Sequence, residues 1–581
     1  MIFALFLSVL SILNANNPPG IAFTTSAGFV QVTEYTQTNT DYVYDSDKAK
    51  AIVRKINNNE WELQLFSKNS EISKVWFPWE ANQVTLDDDN SDDIAYSAFL
   101  MGQTRKMQDT CNFCWEGVEY PGLSFSPLVI VADDDNARLV AATNWPPRRV
   151  HPLFSLNRIG LNYQSEVLPP NSSQTYRAMY IALNGDTSKG RPPWYLVSQI
   201  YRDWLVGKMT DSGLWPLNFD EKMLKSHGFL NVGLMNMAEY NPEQVLAYWN
   251  QHKSKVNWIQ FWGQMSNYVG PTNLAKPALA QGEPTGCCLE KLTMHSRYAQ
   301  TLPNIAATIK NDGGLVGYYS RPRSINDNFL ELSNDSNLNF LQSWIKQNTD
   351  YGANVYYLDV VGSIYMGPSA NVANLLKEYI PKNAFIEYPV ETYPVPFSAS
   401  GCLTGADPQA GPTREFSNLG RGTFPRLGRA ILDHHMMFLG GSNGDHTLVG
   451  PTGEYWSERQ AFLLGAKLDI ISMTESGDYV TGIVNKAVER IIRLRDQSDW
   501  WNLNPQYLDV LNISNVPRGI DIRRFRAKNG INLYVIDNPV GQTDKWFLAS
   551  GRKIDIPNEV MSIIKVSRDN DVIGGIISSI K

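Results

Sequence analysis

Several acidic residues stand where apolar runs stop. Asp359 follows YYL, Glu387 follows AFI with Glu391 four positions on, Asp407 lies in GADP, and Asp433 lies in ILDHH just before His434. An ionisable group placed directly after a buried run is costly to desolvate and needs a compensating role. A helix N-cap is the ordinary alternative, but Gly362 and Pro368 hold the next helical pattern away from Asp359. Two carboxyl groups flanking one bond are what glycoside hydrolysis requires: one ionised, as nucleophile or base, and one protonated to donate to the leaving oxygen. Crowding or burial keeps the donor protonated near neutral pH. One of Glu387 and Glu391 is expected to face this chemistry and the other to pair with an Arg in a loop. Trp258, Trp262, Tyr268, Tyr318, Tyr319 and Tyr388 are candidates to stack on sugar faces, although any one aromatic ring is more often core packing.

Positioning such groups takes a large scaffold. The 581 residues correspond to about three to four domains at ~150 residues each. Hydrophobic residues make up 43% and charged residues 19%, which supplies sizeable cores and excludes a disordered chain. With 51 basic and 58 acidic residues the net charge is −7. A mildly acidic chain argues against nucleic acid or an anionic membrane as the main partner. The expected partner is an oligosaccharide, polysaccharide or glycoconjugate substrate, and no cofactor or metal is expected.

The organisation follows from the patterns. Residues 1–15 read as a cleaved export signal: an apolar run over 2–13 (IFALFLSVLSIL) is too short to span a bilayer at ~20 residues, and a small Ala15 follows. A secreted or secretory-lumen location is expected, and no later segment suits a membrane span. Asn171, Asn334 and Asn512 begin N-x-[ST] sequons, which fit that route. Five cysteines (Cys111, Cys114, Cys287, Cys288, Cys402) are too few for a disulfide scaffold. Residues 16–190 carry short period-two runs such as WELQLF (61–66) and TYRAMYIAL (175–183), the pattern of an antiparallel β-sandwich. Residues 191–227 read as a helical connector, with Arg191-Pro192-Pro193 breaking the β pattern before WYLVSQIYRDWL.

From residue 228 to 500 the grammar changes to buried strands alternating with helices, which means a parallel sheet. At least six strand–helix units favour a (β/α)8 barrel, with its sixth and seventh strands expected within 398–439. Residues 501–581 return to strands and form a small C-terminal β domain. No G-x-G-x-x-G or G-x-x-x-x-G-K-[ST] marks a nucleotide site, and no G-x-S-x-G marks a serine hydrolase. His434-His435 with Asp445-His446 could be considered as metal ligands, but no H-E-x-x-H accompanies them. A non-catalytic carbohydrate-binding or structural protein on a decayed barrel is the competing class.

At these residues the chain resembles TIM-barrel retaining glycoside hydrolases of the α-galactosidase, α-amylase and endo-α-N-acetylgalactosaminidase kinds. The resemblance is specific around YYLDVVG at the fourth strand. In the amylase-like pattern it implies Asp359 as nucleophile, Glu387 as acid/base, and Asp433 beside His434 as the third, stabilising carboxylate. The α-galactosidase pattern promotes Asp407 as the acid instead. The chain departs from the amylase pattern in carrying Tyr357 where an Arg precedes the nucleophile, and in the order Asp-His-His at 433–435.

Overall fold

A computed structural model describes residues 18–32, 34–38, 40–79, 86, 91–99, 102–110, 116–117, 119–120, 124–145, 148–156, 158–163, 167–184, 192–211, 220–233, 241–262, 296–320, 335–358, 384–386, 421–423, 425–432, 439–441, 462–470, 486–509, 513–514, 520–538, 544–548, 553–556, 561–566 and 577–578. The chain divides into two compact units, Met1–Lys208 with Pro412–Ile431, and Met209–Gly411 with Leu432–Lys581.

The first unit is built on two antiparallel sheets, of six and ten strands among the described residues. Strict alternation generates their inner faces. In Glu60–Ser67 the residues Trp61, Leu63 and Leu65 are buried while their neighbours are partly exposed, and Ala49, Ala51 and Val53 repeat the pattern on the adjoining strand. The strand Ser124–Ala132 is buried throughout. The helix Pro193–Asp211 follows, begun at a proline whose missing N–H costs a first turn nothing. It buries Trp194, Tyr195, Val197 and Tyr201, and the Tyr201 hydroxyl meets Ser126 Oγ at 2.8 Å.

One strand of the ten-stranded sheet comes from far along the chain. Arg421–Thr423 pairs antiparallel with Gln103–Lys106, Arg421 opposite Arg105. The helix Pro425–Leu432 follows it. Its Ala430 carbonyl accepts from Gln199 Nε2 at 3.0 Å, and the Arg426 guanidinium lies 5.6 Å over the Trp194 ring.

The second unit holds a parallel sheet whose strands are β1 (Gly228–Gly233), β2 (Trp258–Trp262), β3 (Leu315–Ser320), β4 (Val355–Leu358), β5 (Ala384–Ile386), β6 (Leu439–Gly441) and β7 (Lys467–Ile470). Their order is β5-β4-β3-β2-β1-β7-β6. Consecutive strands are therefore neighbours, and the last strand pairs with the first, Gly228 opposite Leu468. That approach is close: a Cβ on Gly228 would meet the Leu468 carbonyl oxygen at 1.8 Å. Among the described residues the one interruption of this circular order falls between β5 and β6. Of the window 398–439 expected for the sixth and seventh strands, residues 398–420 lie outside the described residues; Arg421–Thr423 belongs to the other sheet, and β6 begins at the window's last residue.

Helices lie between the strands. Pro242–His252 starts with Asn241 accepting from the Glu243 N–H at 2.9 Å and with proline at the first position, a strong start signal. Ser296–Asn311 buries Leu302, Ile305, Ala306 and Ile309. Asp335–Asp350 precedes β4. After β7 and the helix Lys486–Gln497, the described residues form a five-stranded and a three-stranded antiparallel sheet. Trp500 meets Phe525 of the larger one at 4.7 Å between ring centroids. No helix among the described residues is long and apolar enough to cross a membrane.

Candidate active site

The two faces of the parallel sheet are told apart by what their side chains touch. The Tyr318 hydroxyl donates to the Tyr351 carbonyl at 3.0 Å, and the Tyr356 hydroxyl meets Thr349 Oγ1 at 2.6 Å. Both rings are thus committed to the helix layer, where they are buried. Strand alternation sends the other parity to the opposite face. There Trp258 stacks on Phe229 at 4.6 Å with 24° between planes, and the Trp258 indole N–H reaches Gln260 Oε1 at 3.4 Å. Gln260 is fully buried, and its Nε2 finds no hydrogen-bond partner among the described residues. Gly317 makes room for it: a Cβ there would lie 2.0 Å from Gln260 Oε1.

This packing describes two of the rings expected to stack on sugar. Tyr318 is fully buried against the helix layer, and Trp258 is buried at the first residue of β2, far from that strand's C-terminal end. Trp262 ends β2, and Tyr319 is the penultimate residue of β3. Tyr268, Tyr388, His434 and all five carboxylates, Asp359, Glu387, Glu391, Asp407 and Asp433, lie outside the described residues, as do the five cysteines and the His434-His435/Asp445-His446 group. What is described is the approach to two of them. Leu358, the last residue of β4, is the register partner of Ile386, the last residue of β5, and Asp359 and Glu387 are the next residues in the chain.

Gln260 was not singled out from sequence. A signal existed in the period-two series Trp258, Gln260, Trp262, which sets one polar residue among aromatic ones of the same parity.

The opposite, N-terminal ends of the strands carry a different set of charged groups. His227 immediately precedes β1. Its Nε2 is 2.7 Å from Asp496 Oδ1, and its Nδ1 accepts from the Trp501 indole N–H at 3.0 Å. Those partners define the neutral ring with its proton on Nε2. Burial pushes the His227 pKa down to about 4, the positive charges of Arg495 and Lys467 push the same way, and Asp496 opposes them. Lys467, at the start of β7, donates to the Ser226 carbonyl and lies 3.6 Å over the Trp501 ring centroid. Burial, then the nearby Arg495, hold its pKa well below the ordinary lysine value. Arg495 in turn donates to the Ala466 carbonyl at 2.7 Å. In barrel-type sheets this end serves stability, and chemistry belongs at the other. No group of three or more His, Cys, Asp or Glu among the described residues could hold a metal ion.

A parallel sheet with first and last strands paired, together with antiparallel β-sheet units, is the architecture of many glycoside hydrolases. No protein-family model matches the chain, and no curated protein does. Solved structures do. The α-N-acetylgalactosaminidase NagBb from Bifidobacterium bifidum, in complex with GalNAc, is similar over 94% of this chain and 95% of its own, at 9% identity and a TM-score of 0.56. Its ligand-free form matches over 92% and 91%, at 10% identity and the same TM-score of 0.56. The α-galactosidase TtGalA from Thermus thermophilus covers 84% of this chain and 98% of its own, at 9% identity and a TM-score of 0.44. The chain has a glycosidase-like fold.

Proposed function

We propose that the protein is an exported glycoside hydrolase that cleaves an α-linked glycosidic bond with retention, at the C-terminal ends of a closed (β/α)8 barrel spanning residues 228–500. Residues 16–190 and 501–581 are its flanking β domains, and residues 1–15 its export signal. Asp359 is the nucleophile, Glu387 the acid/base, and Asp433 beside His434 the stabilising carboxylate. Glu391 and Asp407 are the alternatives for the donor. Trp262, Tyr319 and Tyr388 are the aromatic residues proposed for the sugar faces.

The observation that carries this proposal is the register of β4 against β5. Leu358 and Ile386 are direct partners, and neighbouring strands lie about 4.8 Å apart. Continuing that register by one residue would set Asp359 beside Glu387 on neighbouring strands, within reach of the separation of about 5–5.5 Å between carboxyl groups that a retaining pair needs. Parity supports the same geometry. Asp359 is three residues beyond Tyr356, whose hydroxyl is held by Thr349 in the helix layer, so strand alternation continued past Leu358 would put Asp359 on the opposite face. The circular strand order, with β7 on β1, favours closure, and the likeness to NagBb favours sugar chemistry.

A panel of aryl α- and β-glycosides, with the α-N-acetylgalactosaminide and α-galactoside included, tests the activity. Proton NMR of the first-formed anomer tests retention, and an inverted product would overturn it. Glu387→Gln should lose activity on unactivated glycosides yet recover substantial rate on aryl glycosides whose leaving group needs no proton. Equal losses on both substrates would move the donor to Glu391 or Asp407.

A further inference from the structure

Of the three N-x-[ST] sequons, the one at Asn171-Ser172-Ser173 falls among the described residues, and its geometry is that of an open acceptor. Asn171 sits at the tip of a turn with φ 57°, a left-handed conformation that asparagine tolerates better than most residues. The turn is pinned on both sides. The Asn171 N–H donates to the Lys68 carbonyl at 2.9 Å, and the Ser172 carbonyl accepts from the Ser67 N–H at 2.9 Å. The Ser172 hydroxyl is occupied by the Pro169 carbonyl.

That leaves the two groups the modification needs. Asn171 and Ser173 are both exposed, with no side-chain hydrogen bond to another described residue. Ser173 is the first, exposed residue of the strand Ser173–Leu183, and a proline occupies neither the middle of the sequon nor the position after it. The surroundings also suit a sugar. Val167 is 54% exposed, and Pro169 and Pro170 beside it are exposed as well, a small apolar patch that a first N-acetylhexosamine would cover.

We infer that Asn171 is an N-glycosylation site, carrying an oligosaccharide whenever the chain enters a eukaryotic secretory lumen. The donor is an oligosaccharide joined to a polyprenyl diphosphate. A bond forms between the sugar C1 and Asn171 Nδ2, the C1–O bond to the diphosphate breaks, the diphosphate leaves with the electron pair, and Nδ2 gives up one proton. A folded chain keeps such a modification only where the acceptor points to solvent, and the pinned turn holds Asn171 there without borrowing its carboxamide. The inference rests on export and is independent of the proposed hydrolase activity.

The test expresses the full chain behind its own leader and, in parallel, residues 16–581 behind a cleavable leader of known efficiency, in secreting eukaryotic cells. Enzymatic release of N-glycans in heavy-oxygen water should convert residue 171 to a labelled aspartate in the peptide map of the lumenal or secreted protein. Asn171→Gln and Ser173→Ala should each abolish that label, and Ser173→Thr should keep it. An unmodified Asn171 peptide in lumenal protein delivered by the known leader would overturn the site. Label with the known leader but none with the native one would keep the site and refute export by residues 1–15.

Discussion

The two ends of the parallel sheet are built on opposite rules. At the N-terminal ends, among the described residues, three titratable groups near the first and last strands are tied down: neutral His227 to Asp496 and Trp501, Lys467 to the Ser226 carbonyl and the Trp501 face, Arg495 to the Ala466 carbonyl. At the C-terminal ends the apolar strands stop at Leu358 and Ile386, and a carboxylate is the next residue in each case. Partnered charges hold a fold, and in the proposed function the carboxylates that follow β4 and β5 act on a substrate. A mutation at one end should therefore be visible in stability and at the other in turnover.

The largest separation is expected from Asp359→Asn. It keeps size and removes the charge, and should lower kcat on a confirmed substrate on the order of 10³-fold or more while leaving the melting temperature nearly unchanged. Near-normal turnover would make Asp359 structural and erase the contrast.

Acid should act on the opposite end. The His227 pKa falls from 6.5 to about 4 on folding, so the unfolded chain binds the extra proton between those values. Stability is then fully present above pH 6.5, declines as pH falls toward 4, and flattens below it. The full decline is worth about 3 kcal/mol. Denaturant midpoints measured across this range should show the slope, and His227→Gln should reduce it. An unchanged slope in the variant would assign the acid sensitivity to other groups.

Removing the ring altogether sharpens the comparison. His227→Ala leaves the Trp501 indole N–H without its acceptor and opens a cavity, a loss of about 2 kcal/mol, readable as a lower melting temperature with kcat intact at permissive temperature. A fall in kcat without a stability change would break the division of labour.

A last comparison, of similar size, probes the sheet between the two ends. Gly317→Ala pushes a methyl into Gln260 Oε1, at a cost of about 1–3 kcal/mol. Gln260→Ala in the same chain should recover part of that stability, and failure to recover would mean that the backbone rather than Gln260 takes up the strain.

Much of this was legible in the sequence because buried parallel strands announce themselves as continuous apolar runs between helix starts. NVYYL, AFIEY and GLVGYY each yielded a strand within a residue or two of its observed bounds. Pro242-Glu243 likewise marks the start of its helix, and the Asn241 cap is added by the structure. Arg421–Thr423 was not legible: RGT has no periodicity of its own, and its partner lies some three hundred residues earlier. The aromatic residues were legible as a class but not by role. Tyr318 and Tyr319 are adjacent and chemically alike, and only strand parity commits the first to the helix layer.

That late strand has a consequence for how the chain matures. The edge at Gln103–Lys106 waits for Arg421–Thr423, so the ten-stranded sheet cannot finish during synthesis of its own domain. Until the later segment emerges, the nascent protein carries a row of unpaired peptide groups, open to any passing strand. A fragment ending at residue 208 would keep that vacancy permanently. It should self-associate, and a peptide covering residues 419–432 should suppress the association.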